Sequence, residues 1–537
     1  MEKRHHRPSL PSTSTCSVES EKPEAELEQI PRWVSVWGIP ALVVLLFLGC
    51  IGTISLTRHP IGDYGVETDF YWDYAPAADA LLRGELPIER YSFRGPGYPM
   101  VLAIGRVFTG DTFLAGKLIS LIAAAASLWM IYRLFTPVLG SLWATAGIIL
   151  IAMNGVFIEF AIRVGTDMFF LSLNLLFVMM IGMCRTRSVA FLAGVVAGFA
   201  FLTRYNGVAL ILVLALWAVC AFWSGDQDRK KLVLMIGVGV LMVVLPWLLS
   251  LYLITGNPFH NLNSANILYT ISAAGKIPWD QFWYTDAKTL TGMIPASLSE
   301  KATLIAQYVF KNFSGHFERI GDSITGWLVL SFAIVGGVMT AFQALRLREW
   351  HWWLILSIFN YLILSTLFFS ERFFLPIIPI LVGLVLALLH SIGKGSLGRR
   401  FGLASVSAGV ALSVILLVGS PKKLEAVVHR LDNDPVELLE MIQEPALRGI
   451  HGDLIAARKP HFAYLTGNGF IPLPLLGSVD ELIQWMKQER VSYVFLDHRG
   501  ANTRPALWSL LGSPHSRPEF ELIAYMPQPA MGFWKLR

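Results

Sequence analysis

The amino-acid sequence predicts an all-α polytopic membrane protein that carries a small α/β domain at its C-terminal end. Three observations predict this fold class. Hydrophobic residues make up 54% of the 537 residues and charged residues only 15%, whereas soluble domains carry about 25% charged residues. About eleven apolar runs are long enough, or nearly long enough, to cross a bilayer. After about residue 421 the pattern changes to short helix-like and strand-like stretches.

The first predicted segment is a polar tail, residues 1–32, which is rich in Ser, Pro, Glu and basic residues. Because such a composition buries little apolar surface, the tail is expected to be disordered. The next apolar run, 33–55, is too long and too far from the start to be a cleaved signal peptide. We therefore interpret this run as a retained first span.

Runs of about 20 apolar residues define a transmembrane domain over residues 33–420, because that length crosses the hydrocarbon core as a helix. The predicted spans are 33–55, 114–135, 139–160, 166–184, 188–204, 205–223, 231–254, 324–345, 350–370, 373–393 and 401–420. Segment 96–108 is apolar but too short to cross. It is expected to lie at the membrane interface or to re-enter the membrane.

Basic residues set the predicted orientation, because loops rich in Lys and Arg are retained in the cytoplasm. They fall at alternate connections, at Arg133, Arg185 with Arg187, Arg229–Lys231, Arg346 with Arg348, and Lys394 with Arg399 and Arg400. An odd number of spans then places the N-terminus in the cytoplasm. Two long loops, 56–113 and 255–323, and the C-terminal domain, 421–537, are expected outside.

The predicted outer connections carry acids and arginines next to helix ends. Asp69 follows the first span, Asp167 opens a later span, and Arg204 and Arg372 lie at two further boundaries. A loop acid, a helix cap or a snorkelling arginine would give the same local patterns. Ionisable groups at membrane depth are nevertheless usually functional. Acids that can move protons beside arginines that match phosphate indicate transfer chemistry on a phosphate-bearing lipid.

At these residues the chain resembles the polytopic glycosyltransferases of the GT-C fold, of the glycosyltransferase 39 type. This type includes the dolichyl-phosphate-mannose protein mannosyltransferases and the bacterial aminoarabinose lipid A transferase. The similar pieces are Asp69, Ala78–Gly84, Pro96–Pro99, Asp167, Leu202–Arg204, Arg372–Pro379 and Ala457–Tyr464. One departure is the pair Asp69-Phe70, where some relatives have Asp-Glu.

The resemblance implies transfer of a single sugar from a polyprenyl-phosphate donor, with inversion, on the outer face of the cell (inner) membrane. It implies Asp69 as the catalytic base and Arg372 as the leading ligand of the donor phosphate, with Arg204 second. Asp167 would orient the acceptor or hold a metal ion. The acceptor stays open between a lipid, a glycan and a protein.

Arg163 and Tyr98 neighbour these motifs and are supporting or acceptor-binding candidates. No His or Cys cluster has zinc spacing, and a divalent ion held by Asp69 and Asp167 is left open as a possible cofactor. The C-terminal domain is expected to bind the acceptor or to cap the outer loops.

The alternative function is that of a membrane transporter or lipid flippase, because charged groups near helix ends also mark substrate paths. The internal repeats that many transporters show are not visible in this sequence. Nucleic acid is not expected as a partner, because the formal charge of +5 is small and no basic stripe with interleaved aromatic residues occurs.

Overall fold

The computed structural model describes residues 37–87, 91, 94–260, 267, 269–273, 276–278, 282, 292–293, 297–343, 348–394 and 424–537. The predicted tail 1–32 and the predicted span 401–420 lie outside the described residues. The described chain is mainly helical up to residue 394, and a five-stranded sheet forms the core of the C-terminal part.

The helices described before residue 395 are numbered here in chain order. They are α1 (Ile39–Arg58), α2 (Ala75–Leu82), α3 (Gly97–Thr109), α4 (Thr112–Leu139), α5 (Ser141–Ala152), α6 (Gly155–Ile162), α7 (Thr166–Gly182), α8 (Arg187–Thr203), α9 (Val208–Trp223), α10 (Gln227–Thr255), α11 (Leu298–Arg319), α12 (Trp327–Gln343), α13 (Arg348–Leu364) and α14 (Ile378–Lys394). Tight single turns join some of them, among them π-helices at Phe70–Tyr74 and Ile320–Thr325 and 3-10 helices at Tyr205–Gly207 and Glu371–Phe374.

Ten of the eleven predicted spans coincide with apolar helices or helix pairs. In the described part of the chain, four helices are long and apolar enough to cross a membrane alone, at Ile39–Arg58, Thr112–Leu139, Tyr205–Trp223 and Gln227–Thr255. Two bent pairs raise this number to six, and α7, α8, α13 and α14 are shorter apolar helices. The prediction of a polytopic helical membrane protein is confirmed.

Local sequence explains where the long helices begin and end. Asp111 caps α4 by accepting a hydrogen bond from the Leu114 amide at 2.6 Å. Asp226 caps α10 in the same way, through two amides of the first turn. That helix ends at Gly256, whose φ of 74° lies in the left-handed region that glycine adopts without strain.

Two sharp bends interrupt the described helices, one inside a predicted span and one just before another. The span 139–160 divides into α5 and α6, which differ in direction by 65°. Asn154 caps α6 through the Phe157 amide (3.1 Å) and donates to the Ile324 carbonyl (3.0 Å), so it joins this bend to a distant segment. The helical stretch that includes α11, most of it in the predicted loop 255–323, meets α12 at an angle of 115°.

The C-terminal part is a small α/β domain, as the sequence predicts. Its strands are β1 (Leu454–Ala457), β2 (Gly469–Pro472), β3 (Tyr493–Asp497), β4 (Phe520–Pro527) and β5 (Ala530–Leu536), in the order β2-β1-β3-β5-β4. Strand β1 pairs in parallel with β2 and β3, and β5 pairs antiparallel with β3 and β4. The short helices are α15 (Leu438–Met441), α16 (His461–Leu465), α17 (Val479–Gln488), α18 (His498–Thr503) and α19 (Trp508–Gly512).

The two faces of this sheet have different partners. One face packs with α17 and α19 through residues such as Leu482 and Leu510. The other face shares one buried cluster with the first predicted outer loop, in which Phe70 and Tyr71 join Ile455 and Phe533. The loop that carries Asp69 is therefore packed against the C-terminal domain.

Candidate functional site

Asp69 lies at the start of the π-helix Phe70–Tyr74 in the first predicted outer loop. Its Oδ2 is 2.5 Å from Nη2 of Arg94. The same oxygen is 3.4 Å from Nη1 and 3.5 Å from Nη2 of Arg372, a residue 303 positions later in the chain. The fold thus brings the predicted base and the predicted phosphate ligand together.

The π-helix places a second acid beside Asp69. A π-helix bonds each residue to the fifth one along, so residues four apart lie on nearly the same face. Asp73 accordingly accepts a hydrogen bond from Nη1 of Arg94 at 2.9 Å. The Arg94 guanidinium also lies over the Tyr74 ring, with 5.0 Å between Cζ and the ring centroid. Arg94 is therefore held between two carboxylates.

Two further residues of the predicted site also form an ion pair. Asp167 lies in the first turn of α7, and its Oδ1 accepts a hydrogen bond from Nη1 of Arg204, the residue that follows α8. The Phe373 ring links this pair to the first, because its centroid is 5.3 Å from Cζ of Arg204 and 5.2 Å from Cζ of Arg372. The candidate site is the cluster of Asp69, Arg94, Asp167, Arg204 and Arg372.

Arg372 has the weakest hydrogen bonds of the three arginines. It lies in the 3-10 helix Glu371–Phe374, just before α14, and its contacts to Asp69 are long. Its Nε is buried and has no hydrogen-bond partner among the described residues. A buried donor without a partner costs about 1–3 kcal/mol, so an anion that reached this guanidinium would find a donor to bind.

The surroundings of Asp69 favour its charged form. Burial by itself would raise the pKa of this carboxyl, but the charges of Arg94 and Arg372 outweigh burial. Its pKa therefore lies below the ordinary value for aspartate. Asp69 is ionised at neutral pH and can accept a proton.

Arg163 belongs to a different cluster, which is almost fully buried. Its Nη1 is 3.0 Å from Oε2 of Glu67 and 3.1 Å from Oδ1 of Asp434. His59 joins the same two carboxylates, with Nε2 2.8 Å from Glu67 and Nδ1 2.7 Å from Asp434. Arg163 is 4% exposed, so a supporting role through this cluster suits it better than contact with an acceptor.

Tyr98 is a packing residue behind the candidate site. It is fully buried, and its ring meets the Tyr74 ring edge-on at a centroid distance of 5.1 Å. The Arg94 guanidinium in turn lies over the Tyr74 ring. The structure therefore places Tyr98 one layer away from the charged groups.

Two motifs that carry the family resemblance pack directly against each other. A Cβ added to Gly95 would lie 2.3 Å from the Leu202 carbonyl oxygen, and one added to Gly97 would lie 2.8 Å from the Thr203 amide nitrogen. Only glycine permits so close an approach of two backbones. This contact places Arg94 close to the end of α8, where Arg204 follows.

Sequence reasoning missed Arg94, Asp73 and the cluster around His59. Arg94 precedes the glycines just described, and a charged residue at such a motif is a signal that could have found it. His59 and Glu67 follow directly after the first span, where ionisable residues are often functional. No local pattern indicates Asp434, because its partner His59 is 375 positions away.

The divalent ion that the sequence leaves open does not fit the acids as they are arranged. Among the described residues, no group of three or more His, Cys, Asp and Glu could hold a metal ion. Asp69 faces the guanidinium groups of Arg94 and Arg372, and Asp167 faces that of Arg204. Positive charge at both acids opposes the binding of a cation.

Comparison with known proteins bears on the fold of the chain. Residues 94–249 match the family model of dolichyl-phosphate-mannose-protein mannosyltransferase. No curated protein matches the chain. Among solved structures, ArnT from Cupriavidus metallidurans bound to undecaprenyl phosphate is similar, with a TM-score of 0.56 at 13% sequence identity. The alignment covers 93% of this chain and 98% of ArnT. The chain has the GT-C fold of polytopic glycosyltransferases.

A second GT-C relative extends the likeness to another kind of transferase. The oligosaccharyltransferase AglB from Archaeoglobus fulgidus, in complex with an inhibitory peptide and a dolichol-phosphate, has a TM-score of 0.55 at 12% identity. That alignment covers 93% of this chain and 74% of AglB. At such low identity the two structures show only the fold of this chain, and the ligands they contain are properties of ArnT and AglB.

Proposed function

We propose that this GT-C protein is an inverting glycosyltransferase that moves a single sugar from a polyprenyl-phosphate donor to an acceptor hydroxyl on a lipid, glycan or protein. Relatives whose structures hold undecaprenyl phosphate or dolichol-phosphate support a lipid-phosphate donor. The match to mannosyltransferases supports glycosyl transfer. The observation that carries the proposal is the ionised Asp69 beside Arg372, whose buried Nε has no partner among the described residues.

The donor phosphate binds Arg372 in this proposal, with Arg204 as the second cation. A phosphate oxygen that approached Arg372 would replace its long contacts to Asp69 with shorter, charge-assisted hydrogen bonds. The guanidinium then stabilises the charge that develops on the departing phosphate. Since a phosphate monoester leaves readily, the reaction needs no general acid.

Asp69 then acts as the general base. It accepts the proton of the acceptor hydroxyl while that oxygen forms a bond to the anomeric carbon, on the face opposite the phosphate. The bond between the anomeric carbon and the phosphate oxygen breaks, and its electron pair leaves with the phosphate. Attack from the opposite face inverts the anomeric configuration. Arg94 holds Asp69 in place through the 2.5 Å contact.

The remaining predicted residues have supporting roles in this scheme. Asp167 orients Arg204, because its carboxylate is bound to that guanidinium. Arg163 and Tyr98 stabilise the surrounding loop from behind. The proposed domain division is a tail 1–32, a GT-C domain 33–420 and an outer α/β domain 421–537. The proposed location is the cell (inner) membrane, with the N-terminus cytoplasmic and the C-terminus outside.

The test is sugar transfer by the purified protein in detergent or nanodiscs, with a panel of labelled polyprenyl-phosphate sugars and candidate acceptors. We expect one donor to be consumed and the product to have the opposite anomeric configuration. Retained configuration would exclude the single-base mechanism. If the donor instead crosses the membrane of sealed vesicles and no sugar is transferred, the result would support a flippase.

A further inference from the structure

A second cluster of charged side chains lies outside the proposed reaction site and joins three distant parts of the chain. His59 follows α1, Glu67 lies in the first loop, Arg163 follows α6, and Asp434 precedes the C-terminal sheet. The side chains of His59, Glu67 and Asp434 are 0% exposed and that of Arg163 is 4% exposed. Charged groups so deeply buried are costly unless they are paired, and here each of them is.

The carboxylate of Glu67 has four hydrogen-bond donors around it. It accepts hydrogen bonds from Nε2 of His59 (2.8 Å), from Nη1 of Arg163 (3.0 Å) and from the amides of Asp63 (2.9 Å) and Val164 (2.6 Å). Asp69 is only two residues later in the chain. The backbone at Glu67 cannot shift without breaking several of these bonds, so they fix the loop from which Asp69 extends.

His59 bridges Glu67 to Asp434, and both of its ring nitrogens face a carboxylate. A ring that donates from both nitrogens is protonated. Burial lowers the pKa of His59, but the charges and hydrogen bonds of Glu67 and Asp434 outweigh burial and raise the pKa to about 9. The other charged groups described at this cluster are Arg163 with Asp63 and Glu159 beside it, Arg430 next to Glu159, and Lys117, whose Nζ is 3.2 Å from the His59 carbonyl oxygen.

The segment that supplies Asp434 ties the helix bundle to the C-terminal domain. Val427 and Leu431 belong to the buried cluster of the bundle. Leu438 and Met441, a few residues later, belong to the cluster shared by the first loop and one face of the sheet. A displacement of the C-terminal domain would therefore also move Asp434.

We infer that Asp434 is a positioning residue for sugar transfer, which acts through His59 and Glu67 to hold the Asp69 loop. Turnover then depends on the docking of the C-terminal domain, although no part of that domain supplies the base. This inference rests on the proposed function, in which Asp69 must meet the acceptor hydroxyl. A misplacement of about 1 Å at a reacting group can cost on the order of 10²-fold in rate.

The first test compares Asp434→Asn with Asp432→Asn in the full-length protein. Asp432 lies on the same segment, but it is half exposed and its ion pair with Arg58 is at 3.6 Å, so it serves as the matched control. We expect Asp434→Asn to lower kcat by about 10- to 100-fold with little change in donor KM. The control should keep the wild-type kcat. An unchanged kcat in Asp434→Asn would overturn the inference.

A pH profile separates positioning from a general loss of stability. In the wild type, kcat should fall as the pH rises through about 9, where His59 loses its proton. In Asp434→Asn this fall should move to lower pH, because one of the two carboxylates that stabilise the imidazolium is gone. A lower kcat with an unmoved alkaline limb would indicate a merely structural role and contradict the inference. If the variant does not fold, the wild-type profile decides, since a flat kcat between pH 7 and 10 would also contradict it.

Hydrogen exchange makes the inference testable without any substrate. The amides of residues 63–74 should exchange faster in Asp434→Asn than in the wild type and in Asp432→Asn. Equal exchange would overturn the positioning role. If the wild type transfers sugar from no donor, the proposed function fails, whereas the exchange measurement still reports whether Asp434 holds the loop.

Discussion

Arg372 differs from the neighbouring arginines in what it binds. Arg94 is held by Asp69 and Asp73, and Arg204 by Asp167, each through a close contact. Arg372 makes only long contacts, and its buried Nε has no partner among the described residues. The guanidinium with unused donors is the one best suited to take up an incoming phosphate.

This difference predicts the effect of Arg372→Lys. An ammonium group retains the charge but cannot offer two parallel donors, so donor KM should rise by about 10- to 100-fold. Arg83→Lys is the matched control, because Arg83 is exposed and forms an ion pair with Glu85, which is also exposed. Both variants would be measured in donor titrations at saturating acceptor. An unchanged donor KM in Arg372→Lys would move the phosphate role to Arg204.

Asp69→Asn tests the base. The amide keeps the size of the side chain but cannot accept the acceptor's proton, so kcat should fall by about 10²- to 10⁴-fold. Donor binding, measured with a labelled donor, should change little. Asp480→Asn, at an exposed ion pair of the C-terminal domain, is the control. Normal turnover in Asp69→Asn would show that the base lies elsewhere.

The sequence indicates the positions of single charged residues better than their partners. Asp69, Asp167, Arg204 and Arg372 stand beside helix ends, and hydropathy alone reveals such positions. Which acid meets which arginine depends on helix packing, and no local pattern encodes a contact such as Arg372 to Asp69, 303 residues apart. The sequence left a metal ion at Asp69 and Asp167 open for the same reason, because the arginines that oppose a cation arrive from elsewhere in the chain.

The close packing of the Gly95–Gly97 segment on the end of α8 predicts a sharp effect of Gly95→Ala. An added methyl would lie 2.3 Å from the Leu202 carbonyl oxygen, so the segment must move and carry Arg94 with it. Turnover and thermal stability in detergent should both fall. Gly49→Ala, in the middle of α1 with no atom within 4 Å of the added Cβ, should be neutral. Equal activity of the two variants would argue against a role for this contact.

The spans were predictable because each one is a property of a continuous run of residues. The bends were not, because they depend on contacts from outside the run. Asn154 divides the span 139–160 by capping α6 and by donating to Ile324, 170 positions away. Helix α11 was not predicted, because it has one apolar side and one charged side. The mean hydropathy of such a segment is low, so a search for apolar runs does not find it.

The docking of the C-terminal domain gives the whole protein a dependence on pH. His59 has a pKa raised from 6.5 to about 9, so the stability it adds is full below pH 6.5 and is lost as the pH rises through 9. Burial raises the pKa of Glu67, but His59 and Arg163 lower it to about 2, so its contribution is lost as the pH falls from 4.5 toward 2. The melting temperature in detergent should therefore be highest near pH 4.5–6.5 and fall on both sides. Asp434→Asn should weaken the alkaline decline, and an equal decline in this variant would contradict the assignment to His59.

The arrangement of the described helices predicts that the candidate site and the basic loops lie on opposite sides of the membrane. The loop after α1, the start of α7, the end of α8 and the segment before α14 meet at the candidate site. At the other end Arg133 lies over Trp37, at the beginning of the first span. Arg185 lies in the loop after α7, and Arg187 and Arg229 lie in the first turns of α8 and α10. Because basic loops are retained in the cytoplasm, the candidate site should face outward.

Cysteine labelling in intact cells checks this orientation, after the natural cysteines have been replaced. Cysteines at Asp69, Arg204 and Arg372 should react with an impermeant maleimide from outside, and so should one at the exposed Asp480 of the C-terminal domain. A cysteine at the exposed Arg229 should react only after the cells are opened. Asp69 and Arg204 are partly enclosed, so cysteines there should react slowly, and Asp480 and Arg229 therefore form the decisive pair. Labelling of Arg229 from outside with protection of Asp480 would invert the orientation and place sugar transfer on the cytoplasmic face.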